Sequence, residues 1–323
     1  MEIRRRFHPN RTPRICFLLA GLLTVCSYTG WVDAADTIGV LYPQIREPYR
    51  KVFRQIIEGI QAEADLAVLP YVLQKNPQVD VLREWLREHQ CRVVIALGRR
   101  GVKTAEALGN TIPVVAGAVL SAPGRQGGLH PGISLVPDPD QLFAKLRRLA
   151  PAVERVMVVF NPARSASLIQ LARKAARTHS LRLTAIEARD LKTAARGYRQ
   201  LFDASNFSKT ALWLLQDPTT VDGKVILPLI LDQAWKKKLV VLASNPAYVR
   251  RGVLFSLYPD NVAMGKSLAR LARRAMSSNP RVEPGMAPLR DLLVAVNLRT
   301  AAHLELQFSS EMRRSFDLVF PAR

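Results

Sequence analysis

Beyond residue 36, short apolar runs alternate with segments whose apolar positions recur at the helical period. Thr37–Leu41 reads as a strand ending at Tyr42-Pro43. From Glu47 to Ala64 the residues Val52, Ile56, Ile57 and Ile60 fall on one helical face. Leu66–Leu73 reads as the next strand, and Val79–His89 as a helix with Val81, Leu82, Trp85 and Leu86 on one side. Arg92–Leu97, Val102–Leu108 and Ile112–Ala116 continue as strand, helix and strand. The alternation then restarts. Gln141–Leu149, Ser165–Thr178, Leu191–Phe202 and Val225–Lys237 are helical, and between them lie the strands Arg155–Phe160, Leu181–Ile186, Ala211–Leu215 and Leu239–Ala243.

Strands this uniformly apolar must be buried on both faces, which is the condition of a parallel sheet covered by helices. Two such runs predict an α/β chain of two Rossmann-like lobes with parallel sheets joined by a multi-strand hinge. Val253–Leu257, the helix Val262–Met276 and the later strands Leu292–Val296 and Phe316–Phe320 are the expected crossings. Residues 36–136 with 254–279 are assigned to lobe 1, and 137–253 with 280–323 to lobe 2.

The start of the chain follows a different rule. Arg4, Arg5, Arg6, Arg11 and Arg14 precede an apolar run from Ile15 to Val25, and small residues follow up to Ala34-Ala35. This is the layout of a signal peptide over residues 1–35, cleaved near Ala34 or Ala35. The run is too short for a comfortable membrane anchor, which wants about 20 residues. Val25 before Cys26 is a poor match to a lipoprotein cleavage site, so acylation of Cys26 is not expected. Cleavage would leave Cys91 alone, unable to form an internal disulfide and reading as a small core residue.

Charge narrows the partners. The chain carries 47 basic and 26 acidic residues, a formal +21. Removing the five arginines of the leader together with Glu2 and Asp33 leaves 42 against 24, or +18. Such a balance attracts an anionic ligand, an acidic partner or a membrane surface. No nucleic-acid-binding motif is present, and export removes the usual target.

In open parallel sheets, ligands sit beyond the carboxyl ends of the strands, near helix starts that offer free N–H groups. The candidate ligand-binding residues are therefore Tyr42, Gly98, Arg99, Ser121, Asn161, Ser165, Asp217, Thr219, Asn245, Tyr258 and Asn261. Each has a structural alternative. Arg99 and its neighbour Arg100 clamp an anion or point to solvent; Asn161 turns the chain and Ser165 caps a helix; Asp217 meets a ligand or caps the next helix. Tyr258 and Asn261 flank a crossing, as hinge or wall. Trp213 and Trp85 read as core.

Catalytic chemistry finds little support. Gly98-Arg99-Arg100-Gly101-Val102-Lys103-Thr104 departs from a phosphate loop in glycine spacing and in the place of its lysine. There is no Gly-x-Ser-x-Gly elbow, and His89, His130, His179 and His303 lack metal-ligand or triad spacing. Neither an enzyme activity nor a metal nor a cofactor is expected.

Several stretches together resemble the ABC-transporter substrate-binding family that includes periplasmic tryptophan- and tyrosine-binding proteins. They are Val93–Gly98 with Ile112–Val115, Gly127-Gly128-Leu129 with Pro131–Ser134, and Leu149-Ala150-Pro151 leading to Val158–Pro162. Leu214–Asp217 and Gly252–Ser256 running into Tyr258–Gly265 complete the ordered set. The resemblance implies a type I periplasmic-binding-protein fold, a hinged cleft for a small solute, a monomer, and delivery to the membrane permease of an ABC transporter. It also suggests that Asp217 receives a ligand ammonium group. The same fold would serve a sensory binding protein reporting to a membrane receptor or kinase, or an envelope interaction protein with a vestigial cleft. Arg99 stands where the family usually carries Thr, and Val119-Leu120-Ser121-Ala122-Pro123 where it shows a Thr-Asp-Pro stretch. Both departures favour anions and set the chain apart from the family's aromatic amino-acid binders.

Overall fold

Side-chain alternation on the strands organises the whole molecule. The computed structural model describes residues 36–120, 123, 129–203, 207–277 and 282–321; the expected signal peptide, Ser121 and the Gly127-Gly128 pair lie outside them. In chain order the first elements are β1 (Thr37–Pro43), α1 (Tyr49–Glu63), β2 (Ala67–Leu73), α2 (Val79–Glu88), β3 (Cys91–Leu97), α3 (Gly98–Ala107), β4 (Val114–Val119) and β5 (Pro131–Pro137). There follow α4 (Pro139–Leu149), β6 (Arg155–Phe160), α5 (Pro162–Thr178), β7 (Arg182–Glu187), α6 (Leu191–Asp203), β8 (Thr210–Leu214), α7 (Ile226–Lys236), β9 (Val240–Ala243), α8 (Pro246–Arg251) and β10 (Phe255–Pro259). The last are α9 (Asn261–Met276), β11 (Gly285–Leu289), β12 (Leu292–Asn297), α10 (Leu298–His303), α11 (Ser310–Arg314) and β13 (Leu318–Phe320).

These strands form two sheets. The first runs β11-β5-β4-β3-β1-β2 and is parallel throughout. The second runs β13-β12-β10-β9-β8-β6-β7, and only the β10–β12 pair is antiparallel. On β3, Val93, Ile95 and Leu97 pack with α1 and α9, while Val94 and Ala96 pack with α2 and α3. On β6, Val156, Val158 and Phe160 face α4 and α5, and Met157 and Val159 face α6 and α7. Trp213 of β8 is core as expected, 1% exposed and edge-on to Phe143 of α4. Trp85 is only half-buried, between Tyr71 and His89, and Val81, expected on the apolar side of its helix, is 59% exposed.

The exchange points between the lobes differ from those expected. Strand β10 bonds to β9 and β12, so residues 255–259 belong to the second sheet rather than to lobe 1. Strand β11 pairs with β5, which places 285–289 in the first sheet rather than in lobe 2. A run of only five residues suits either sheet, so its spacing does not say which sheet it joins. The chain crosses at Asp138, at Asp260 and at Arg290-Asp291. The crossings are tied to one another: Asp138 N–H donates to Leu289 O at 2.8 Å, and Asp260 N–H to Asp291 O at 3.0 Å. Asp138 also caps α4 and lies 3.4 Å from Arg290.

Helix α9 returns from the second crossing to lie on α1. The two helices approach so closely that only glycines fit at the contact. A Cβ on Gly59 would stand 2.0 Å from Val262 O, and one on Gly265 would stand 2.1 Å from Ile56 O.

Candidate functional site

Both sheets end their parallel strands in polar loops, and the second presents a connected network there. Asn161 follows β6 and is buried, 6% exposed. Its Oδ1 accepts from Ala163 N–H at 3.0 Å, capping α5. Its Nδ2 donates to Arg189 O at 3.2 Å and to Thr219 Oγ1 at 3.1 Å. The Thr219 hydroxyl in turn donates to Asp217 Oδ1 at 2.8 Å, and Thr219 N–H donates to the same oxygen at 2.9 Å. Arg164 reaches that oxygen with Nε at 3.4 Å.

Asp217 is thus held at the carboxyl end of β8 by one of its two oxygens. The other, Oδ2, is buried and has no hydrogen-bond partner among the described residues, although Asp217 is only 5% exposed. A buried carboxylate oxygen normally has a donor, because leaving it without one costs about 1–3 kcal/mol or more. Tyr198 of α6 adds a second group without a partner among the described residues, a hydroxyl in a fully buried side chain. Burial, reinforced by the charges of Tyr248 and Asp217, pushes its phenol far above the ordinary tyrosine value.

Arg164 occupies the first turn of α5, which contains no acidic residue. The start of α3 is similar: Arg99 and Arg100 fall in its first turn, again without an acid. Cations at helix starts oppose the macrodipole, typically by 0.3–1 kcal/mol each. The expected loop at 98–100 is thus the beginning of the helix itself. Gly98 makes the turn possible, with φ +72° and the Phe53 ring 3.2 Å from where a Cβ would stand. Arg99 is exposed and Arg100 half-buried.

The remaining candidates separate into distinct roles. Ser165 is buried within α5, where its N–H bonds to Asn161 O. Asn245 caps α8 through Ala247 N–H at 3.0 Å, and the adjacent Ser244 accepts from Trp213 Nε1 at 3.4 Å. Tyr42 is half-buried at the end of β1, its ring 6.4 Å from that of Phe53. Tyr258 ends β10 half-buried, and desolvation raises its phenol above the usual value. Asn261 opens α9 and donates to Gln55 Oε1 of α1 at 2.9 Å, an assignment within the first lobe. The structure therefore joins Asn161, Asp217 and Thr219 in one network and leaves Tyr42, Gly98 and Arg99 at the strand ends of the other lobe. Sequence reasoning took the stretch Asn161–Ser165 as a candidate without singling out Arg164, and missed Tyr198. The signal for Arg164 was an arginine two residues after an Asn-Pro helix start; for Tyr198 there was none, since it lies on an ordinary apolar helix face.

Two lobes built on mostly parallel sheets and linked by three crossings, with polar loops at their strand ends, define a type I periplasmic-binding-protein fold. Solved structures of low identity share it. A substrate-binding protein with adhesive properties from Clostridium difficile, in a ligand-free open form, matches with TM-score 0.59 at 14% identity, over 89% of this chain and 100% of that one. A Streptococcus pneumoniae domain in complex with L-Trp gives TM-score 0.50 at 16% identity, covering 88% and 99%. A conserved domain protein from Vibrio cholerae gives TM-score 0.50 at 17% identity, covering 88% and 99%. None of the curated proteins matches the sequence. The family model described as ABC transporter substrate binding protein matches residues 73–317, and the chain belongs to that family.

Proposed function

We propose that this protein binds a small zwitterionic or anionic solute, such as an amino-acid-like compound, between its lobes and hands it to the permease of an ABC importer. The observation that carries the reading is the unpartnered Oδ2 of Asp217, buried beside a network that has already satisfied Oδ1. An ammonium group is the natural donor for that oxygen. The arginines at the starts of α3 and α5 supply the complementary charge for a carboxylate. Arg164 already pairs with Asp217, but Arg99 and Arg100 stand against the α3 dipole with no acid in that turn, a placement that an arriving anion explains better than stability does. The Streptococcus pneumoniae relative, solved with L-Trp, supports an amino-acid-like ligand.

Solute contact with both lobes would favour the closed form over the open one by the difference in its affinity for the two. The protein works as an exported monomer, with residues 1–35 removed as a signal near Ala34 or Ala35, and performs no catalysis itself.

A thermal-shift screen tests this. Protein refolded to remove carried-over ligand is scanned against amino acids and small anionic metabolites. One chemical class should raise Tm saturably, and Asp217→Asn should weaken that ligand at least about tenfold, the loss of one charge-assisted hydrogen bond. A folded protein that no compound stabilises, or a variant that binds as well as the parent, would sink the proposal.

A further inference from the structure

At the opposite end of the second sheet, where the parallel strands begin, a cavity of about 790 Å³ opens between α7, α8 and α10. Its inner wall is apolar, from Leu231, Leu239, Val241 and Phe320. Its rim carries Arg250, Arg251 and Arg299, and among the described residues no Asp or Glu lines it. One side is a flat aromatic plate. Trp235, 41% exposed, stacks on His303 with ring centroids 3.6 Å apart and planes within 3°. His303 Nε2 lies 2.9 Å from Trp235 O, and the Arg299 guanidinium sits 5.7 Å from the Trp235 ring.

The neighbouring acids are engaged elsewhere: Asp232 pairs with Lys236 and Glu305 with Lys238. Arg251 spends one donor on Gly223 O, and Arg250, Arg251 and Arg299 are all exposed residues of the cavity lining. A merely solvated basic face needs neither an apolar recess nor an exposed indole held rigid by a stacked imidazole. The volume falls within the range of small-molecule pockets, about 300–1000 Å³. Three guanidiniums around one mouth match a group with three or more anionic acceptor oxygens better than a carboxylate with two.

We propose that this recess binds a phosphate ester on an apolar body, the phosphate at the three arginines and the body against Trp235 and the inner wall. The chemistry is shared by free aryl or alkyl phosphates and by phospholipid headgroups with their proximal chain. The site has no residue in common with the Asn161–Thr219–Asp217 network. It stands or falls independently of the solute-binding reading.

Calorimetric titration of the full chain with 1-naphthyl phosphate tests it, with 2-naphthol and inorganic phosphate as half-ligands. Saturable binding of the ester, much weaker binding of either half, and a loss of at least about tenfold in the Arg250→Ala, Arg299→Ala double variant are expected. Trp235→Ala should also weaken the ester while leaving inorganic phosphate unchanged. Co-sedimentation with vesicles of phosphatidylglycerol in phosphatidylcholine, against phosphatidylcholine alone, identifies the source. Capture that the ester competes away assigns a lipid, and ester binding without capture assigns a soluble phosphate. An ester that does not bind the folded protein, or binds the double variant equally well, overturns the proposal; melting curves of each variant establish that it is folded.

Discussion

Replacing Gly59 by alanine puts a methyl group where α9 already lies. The new Cβ would stand 2.0 Å from Val262 O, 2.8 Å from Val262 C and 3.1 Å from Gly265 Cα, all backbone atoms that no rotamer change can move aside. Helix α9 must therefore retreat from α1 by more than 1 Å. Met264, Leu268 and Leu271 of α9 are buried against the first sheet. Burying each is worth about 1.5–3 kcal/mol, and a gap of this size forfeits about a quarter to a half of the contact energy. The loss is on the order of 3 kcal/mol. Better helix propensity of alanine returns about 1 kcal/mol, leaving a net destabilisation of about 2 kcal/mol. Urea unfolding followed by circular dichroism and tryptophan fluorescence measures it, with Gln61→Ala on the exposed side of α1 as control. The Gly265→Ala change forces the same retreat, so the double variant should lose less than the sum of the two singles. The shift also reaches Asn261, which α1 holds through Gln55 beside the crossing, so solute affinity should change as well. A Gly59→Ala protein as stable as its parent would refute the close packing of α1 on α9.

Two further predictions concern buried polar groups. Tyr198→Phe removes a hydroxyl that has no partner among the described residues, so stability should hold or rise by up to about 1–3 kcal/mol, the cost of an unsatisfied buried group; a clear fall in Tm would mean that the hydroxyl is hydrogen-bonded. Burial, only partly opposed by Glu106, holds the His130 imidazole below its ordinary value of 6.5. The folded state thus binds that proton less readily than the unfolded chain, and stability present above pH 6.5 is lost as the pH falls through the unfolded value toward the folded one. His130→Gln should flatten this acid-side decline in Tm, and an unchanged pH profile would remove His130 as its source.

Much of the site was legible because strand ends are legible. Once β6, β8 and β9 were placed by their apolar runs, Asn161, Asp217 and Asn245 followed as the polar residues just beyond them. What each does there was not legible. Asn161 and Asn245 both cap helices, but only Asn161 also reaches Thr219. Whether an asparagine after a strand is only a cap depends on what lies across the loop, here a threonine 58 positions away. Arg99 is a comparable case. The glycine before it looked like a loop residue, and its positive φ instead starts the helix directly.

By itself the sequence determined the lobes, because a strand apolar on both faces can only be buried between helices, and residues such as Val93 to Leu97 carry that demand locally. The tertiary structure decided the membership of the late elements. Phe255–Pro259 and Gly285–Leu289 are short, and each would suit either sheet by composition; pairing with β9 and β12, or with β5, settles them. It also decided which side chains meet. The close approach of Gly59 to Gly265 and the link from Asn161 through Thr219 to Asp217 join residues far apart in the chain. Local periodicity records how a residue faces its own element, whereas contacts of this kind depend on where entire elements come to rest.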